Sequence, residues 1–511
     1  FLMTSYVWYL NEELDGTVHL DYRADRGVGF GPDFNYHLGR WGSGTLDAYY
    51  MDDQKPGSGI PSNRGQVHFS YLAEPVTNLT VRSVVRYESD PRLLRDFFEG
   101  EYRSNPQQPT FLEVNKTWEN VSLDGMVNGR VNDFNETVER LPEVKLTAFP
   151  QQVFSTPLYY ESESSAGFYR RLFADTNGPV IPGYDATRLD TFQQLTLPIT
   201  LFGWLNLTPH AGGRYTYYGD TSGIGQTNSS QSRFVFNTGA ELSFKASRVW
   251  SLMRNKLFDL DGVRHIIEPS VNYLYTPNVN ARPSQVPQFD TEEPSLVLLP
   301  IDYPDFNSID SIDSENVIRY GLRNRLQTKR LGRVTDFLDW QLYLDWRLQP
   351  QHGEKTFSDM YSDLTLHPRS WLALESRIRV DMDSGELRMA FHTITFQPND
   401  HWSWTLGHYY LRNDFGTLPT DYGQGNNLVT SEVFYRATEN WSYAVIHRFD
   451  IQSGIMEEQQ YGVYRDFRSW VGAIVLRVQK SQGRAEDVTA AVTFSLKASA
   501  HQNPIDQPEI F

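Results

Sequence analysis

Residues 264–277 read RHIIEPSVNYLYTP. The odd positions His265, Ile267, Pro269, Val271, Tyr273 and Tyr275 are mostly apolar or aromatic. The even positions Arg264, Ile266, Glu268, Ser270, Asn272 and Leu274 are mostly polar. A period of two predicts a β-strand whose faces meet different environments. The same alternation recurs along the chain. Trp340, Leu342, Leu344, Trp346 and Leu348 oppose Gln341, Tyr343, Asp345, Arg347 and Gln349. Val488, Ala490, Val492, Phe494 and Leu496 oppose Thr489, Ala491, Thr493, Ser495 and Lys497. Short turn signals such as Asp383-Ser384-Gly385 and Gly42-Ser43-Gly44 separate the runs and favour antiparallel hairpins. The runs predict about 24–26 strands of about 9–13 residues, the length that crosses a bilayer at a tilt. No helix of more than two turns is expected. Pro269 has no ladder donor and should mark a bulge or a weak point in its strand.

Two stretches break the rhythm. Residues 88–112 are polar and Pro-bearing, and 277–315 are longer and Pro-rich; both read as long loops at one end of the sheet. Leu296, Val297, Leu298 and Leu299 form an apolar centre in the second loop and should pack on the wall or on a partner that plugs it. The organisation expected is a barrel over 1–498 with a polar C-terminal tail at 499–511.

Composition sharpens the reading. Aromatic residues make up 14% of the 511 residues, yet mean hydropathy is −0.50. Apolar residues are therefore diluted by alternation rather than scarce. Rings cluster toward strand ends, at Trp8 and Tyr9, Trp41, Tyr49 and Tyr50, Tyr217 and Tyr218, Trp402 and Trp404, and Trp441 and Tyr443. Girdles at two headgroup interfaces explain them. The most apolar uncharged window, 191–213, contains Pro198 and Pro209 and reads as two strands and a turn rather than a spanning helix. The fold class is all-β, a large antiparallel transmembrane barrel whose closure removes exposed edges. A formal net charge of −17 argues against a nucleic-acid partner and suits solvated loops and a wet interior. With no Cys, disulfides, Cys-ligated metals and thiol catalysis are excluded. The chain reads as an excised mature part of something longer.

The stretch GVRHIIEPSVNYLYTP (262–277), with VPQFD (286–290) and NVIRYGLRNRLQTK (316–329), resembles the LptD family of lipopolysaccharide-assembly barrels. Other segments agree in order: YLNEELDGTVHLDYRADRGVGF (9–30), GSGTLDAYYMDD (42–53), YESDPRLLRDF (87–97) and RLDTFQQLTLPITLFGWLNLTPHAGGRYTYY (188–218). The resemblance covers about residues 9 to 330, with later strands as continuation. It implies an outer-membrane barrel, 26-stranded in the family, that passes lipopolysaccharide outward without covalent chemistry. The lipid would leave between the first and last strands while the glycan crosses the lumen. It also implies an LptE-like lipoprotein plug, outer-membrane lipid around the wall, and a periplasmic bridge protein reached through an N-terminal domain outside this sequence. The seam would lie between about Leu2–Leu10 and Val488–Lys497, and Ser5, Tyr6, Val7, Trp8, Leu20, Thr489, Ala491 and Thr493 are its candidate gate residues. Family members often place proline in each of the first two strands; Ser5 and Leu20 stand at the matching positions here.

Catalytic, cofactor and metal sites are not expected. Gly27-Val28-Gly29-Phe30-Gly31 lacks the strand–loop–helix context of a phosphate loop. Asp302, Asp305, Asp310, Asp313 and Glu315 match no calcium-loop spacing and read as a solvated acidic loop. His265 with Glu268, and His392, His408 and His447, give no nucleophile–base pair. The alternative to lipid assembly is a large outer-membrane importer or porin-like channel without lipid gating.

Overall fold

In the computed structural model, residues 2–104, 109–175, 181–223, 229–290, 295–351, 353–414, 423–480 and 486–496 are described. The proposed tail at 499–511 lies outside them. They form one sheet of 28 strand segments. Three of these, Ile199–Leu201, Ser222–Gly223 and Ala246–Asn255, continue a preceding strand along the same partner, which leaves 25 wall strands. Each wall strand pairs antiparallel with its sequence neighbours. The expected hairpin meander is therefore the architecture, and its strand count falls inside the expected range. Helices are limited to single turns, such as Leu93–Phe97, Glu99–Ser104 and Tyr303–Asn307.

The two ends of the wall differ. At one end the connections are tight: 12–13, 77–78, 331–332, 370–371, 400–401 and 439–440. At the other they are long: 53–62, 89–110, 277–314, 348–359 and 412–425. Outer-membrane barrels turn tightly on the periplasmic side and carry long loops outside, so this asymmetry orients the wall.

Alternation sets two faces. On Arg333–Arg347, Trp340 and Trp346 are exposed outward, whereas Asp345 is buried inward under a bidentate pair with Arg319 (2.7 and 2.8 Å). On Leu260–Thr276, Glu268 pairs with Arg325 and Lys245 on the even face, as the pattern predicts.

Two expectations need correction, one about the rings and one about the bounds of the first long loop. Tyr49 and Tyr218 are not girdle rings. Each is buried on the inner face, Tyr49 donating to Asp21 (3.2 Å) and Tyr218 to Asp310 (2.5 Å). Adjacent residues in a strand point to opposite faces, so of Tyr49-Tyr50 only Tyr50 stands exposed outside. Of the bulge or weak point expected at Pro269, the weak point is found: the ladder with Glu315–Arg330 runs without a register shift, so there is no bulge. The missing donor falls instead on the other side. There pairing stops at Ser243↔Ser270 and resumes, in unchanged register, at Ala246↔Ile267. The strand Phe111–Thr117 also begins inside the stretch read as the first long loop.

Candidate functional site

The inner face holds a series of ion pairs on which both long loops are seated. On the strand Asn63–Val76, Arg64 is fully buried. It donates to Asp90 (2.8 and 2.9 Å), Asp96 (2.9 Å) and Asp53 (3.1 Å). The Phe97 ring lies under the guanidinia of Arg64, Arg23 and Arg26, and Phe98 meets Tyr49 edge-on at 5.0 Å. Leu93 and Leu94, in the same loop, are buried. The polar loop 89–104 is thus folded onto the wall by one arginine and a few apolar anchors.

The second loop repeats the device on a larger scale. Its segments around 281–290 and 308–312 press on four strands, Tyr159–Leu172, Tyr184–Thr196, Leu205–Tyr218 and Gln231–Phe244. Phe289 packs on Tyr169, Tyr184 and Ala186; Ala281 and Val286 pack on Tyr218; Ile309 and Ile312 pack on Val235. Arg188 donates to Asp290 (3.0 Å) and Asp310 (3.0 Å) from above the Tyr169 ring. Asp310 is fully buried and also accepts from Tyr218 and from the Phe289 N–H (2.8 Å). Arg233 donates to the carbonyls of Ile309, Asp310 and Ile312. Phe306 reaches along the wall to Phe192, 5.6 Å away and edge-on. Leu296, Leu298 and Leu299 are half-buried and Val297 is exposed. The Leu299 carbonyl accepts from Arg319 (2.7 Å).

The candidate gate residues occupy two strands. Ser5, Tyr6, Val7 and Trp8 pair with His19, Val18, Thr17 and Gly16, and Leu20 pairs with Thr4. Trp8 lies over Gly16, where a Cβ would collide with its ring and with the Asp33 carbonyl, and meets Phe34 edge-on at 5.7 Å. On the last strand, Asp487–Leu496, Thr489, Ala491 and Thr493 pair with Arg477, Val475 and Ala473. No ladder among the described residues joins Leu2–Asn11 to Asp487–Leu496. Both run from the long-loop end to the short-turn end. Leu2–Asn11 is exposed along nearly its whole length, as are Val488, Val492 and Phe494. Each of the two strands thus has one ladder among the described residues and an exposed flank.

The inner surfaces beside these edges differ in chemistry. Beside the first strand lie His19, Asp21, Asp33 and Asp47, with His19 bonded to Asp33. Beside the last strand the inner surface is small and apolar, with Ala444, Tyr464, Ala473 and Val475 packed together and Ala491 buried next to them.

The chemistry weighed from sequence is dispersed. Gly27–Gly31 lies within the strand Gly27–His37. Asp310 is committed to Arg188. His265 bonds Asn324 (3.2 Å) on the opposite face from Glu268. His392 and His408 stack at 5.8 Å but bond Ser376 and Asn427.

A family model for LptD, described as LPS transport system D, matches residues 62–454. The chain belongs to the LptD family. The LPS-assembly protein LptD of Pseudoalteromonas translucida (strain TAC 125) is 21% identical over 99% of this chain and 67% of its own length. Its counterparts in Pseudomonas aeruginosa (strain LESB58) and Xanthomonas euvesicatoria pv. vesicatoria (strain 85-10) are 24% and 25% identical. Those matches cover 66% and 55% of this chain, which spans 38% and 37% of their lengths. Among solved structures, the siderophore receptor PirA from Pseudomonas aeruginosa aligns over 96% of this chain and 82% of its own, at 9% identity and a TM-score of 0.32. The P pilus usher PapC translocation pore aligns over 97% and 99%, at 8% identity and a TM-score of 0.28. This LptD-family chain is an outer-membrane β-barrel, as its strands, orientation and family agree.

Sequence reading missed the arginines that seat the loops. Arg188 and Arg233 sit on alternating strands, where an inward cation reads as ordinary lumen polarity. Nothing in their spacing names Asp290 or Asp310, which bond them from 77 to 122 residues away along the chain.

Proposed function

We propose that this barrel passes lipopolysaccharide to the outer leaflet through a lateral seam between Leu2–Asn11 and Asp487–Leu496. The observation that carries the reading is that these two strands are exposed and that each has one ladder among the described residues. An amphiphile with several acyl chains and a long anionic glycan cannot leave a closed pore into lipid. It can leave through a wall that parts where few hydrogen bonds hold it. The two strands run in the same direction, so direct contact between them is parallel, a pairing slightly weaker per residue. Small residues at Thr489, Ala490 and Ala491 add little cross-strand packing, at about 0.2–1 kcal/mol per good pair. Ser5, Tyr6, Val7, Trp8, Leu20, Thr489, Ala491 and Thr493 are the gate in this reading. The seated loops then close the lumen from outside, an LptE-like lipoprotein fills it, and a periplasmic bridge delivers lipid through a domain preceding the barrel. Depleting the protein in its own host tests the function. Surface lipopolysaccharide should fall while uptake of small solutes is retained. Normal surface lipopolysaccharide with lost solute uptake would favour an importer instead.

A further inference from the structure

The strand Ala246–Asn255 takes no part in the seam or the loop seats. It continues Gln231–Phe244, whose ladder with Leu205–Tyr218 ends at Leu205↔Phe244. Past that point the neighbour has turned back at 202–204, and Ala246–Asn255 pairs with Leu260–Thr276 alone among the described residues. Its depth follows from the turn beside it. Trp204, an exposed ring at the tight turn 202–204, meets Phe244 edge-on at 5.5 Å, and Ala246–Asn255 starts two residues beyond Phe244. The strand therefore begins at the aromatic girdle and runs beyond it, into water on the periplasmic side.

All ten of its residues are exposed. Val249, Leu252 (91% exposed) and Met253 display apolar surface on both faces. Toward lipid that would be ordinary. In water, a long open edge that is apolar on both faces is a feature proteins cover. Its charge is one-sided. Residues 246–258 contain Arg248, Arg254 and Lys256 and no acid, in a chain of net charge −17. Arg248 lies 5.2 Å over the Trp250 ring, and Arg254 reaches Asp261 (2.9 Å) on the paired strand. The tip is held in place: Arg330 donates to the carbonyls of Phe258 (3.2 Å) and His367 (2.7 Å), and Arg369 to that of Lys256. A fixed tip with an open flank is a preorganised edge.

We propose that Ala246–Asn255 is a docking edge that takes an acidic, extended segment of a partner protein on the periplasmic side as an added strand. Main-chain bonds supply attachment, alternate apolar side chains supply contact area, and Arg248, Arg254 and Lys256 select acidic sequence. Anionic headgroups would meet the cations but leave the backbone edge and Leu252 uncovered. A second copy would set the same cations against each other.

The test uses the full chain in nanodiscs of zwitterionic lipid, with hydrogen exchange read at the amides of 246–255. The probes are a synthetic peptide of alternating valine and glutamate and its valine–lysine counterpart. The glutamate peptide should slow exchange about tenfold, the scale of one strand's worth of modest net bonds, and the lysine peptide should not. Arg248→Glu combined with Lys256→Glu should transfer protection to the lysine peptide; both side chains are exposed and Arg254 keeps its pair with Asp261, so the barrel should fold unchanged. Slowing by neither peptide, or equally by both, would overturn the proposal. So would slowing by anionic vesicles without peptide, or slowing that grows with protein concentration alone.

Discussion

Asp310→Ala tests how the second loop is held. In the wild type, Asp310 is fully buried and accepts from Arg188 (3.0 Å), Tyr218 and the Phe289 N–H (2.8 Å). Alanine removes the carboxylate and with it all three bonds at once. It leaves a buried guanidinium with Asp290 as its remaining charge partner, and an unpaired hydroxyl and amide. Breaking a buried ion pair from one side costs about 3–5 kcal/mol, because the other charge stays desolvated. That corresponds to a rise of about 150- to 5,000-fold in the open population of the loop. The apolar contacts of Phe289 and Ile309 would remain, so the wall should keep its strands while the loop detaches. Hydrogen exchange in nanodiscs would report it, with amides of 281–290 and 308–312 losing protection and those of Tyr184–Thr196 keeping theirs. Planar-bilayer conductance should rise in parallel as the lumen is uncovered. Replacing both partners, Arg188→Met with Asp310→Leu, should recover much of the loss, since an apolar pair carries no desolvated charge. Unchanged protection in Asp310→Ala, or a double variant no better than the single, would refute the reasoning.

Two further predictions follow from the wall and its turns. Leu344→Arg places a cation on the lipid face between the rings of Trp340 and Trp346 and should destabilise the barrel by about 2–4 kcal/mol in urea refolding into vesicles, whereas Gln341→Arg on the inner face should cost far less; equal costs would count against the assignment of faces. Burial pushes the Asp381 carboxyl up, but Lys355, the Ser384 N–H, Arg388 and the Asp383 N–H outweigh it and hold it well below the usual carboxylate range. A depressed folded value adds stability above the unfolded value and loses it as pH falls through the folded one, so proteolysis of the 381–386 turn should rise only in strong acid, and Asp381→Asn should raise it at neutral pH; identical pH profiles for the two would contradict this.

The wall was legible because alternation is local. Trp340 against Asp345 is a statement about one strand, and each strand repeats it independently, so the count and the hairpin order could be read directly. The family resemblance was carried by ordered segments such as 262–277, and the match over 62–454 agrees with it. What alternation could not supply is depth and partner. Tyr217-Tyr218 read as a girdle pair, yet one ring must point inward, and its environment was fixed by Asp310, some ninety residues later. Leu296–Leu299, the most apolar run of the loop, reads as packing on the wall or on a plug partner, and three of its residues are half-buried. The residues that anchor the loop on the wall are single ones, Phe289, Ile309 and Ile312, spaced by polar neighbours that bond the wall. The open flank of Ala246–Asn255 was equally hidden, because it depends on where a different hairpin turns back.

The central claim is that lipid leaves between the first and last strands, and a reversible crosslink tests it most directly. The chain has no native Cys, so one cysteine placed within Thr4–Trp8 and one within Asp487–Thr493 can be scanned for the register that bonds on oxidation. A verified crosslink should stop lipopolysaccharide from reaching the cell surface, and reduction should restore it. Unimpaired transport through a fully crosslinked seam would mean that lipid leaves by another route.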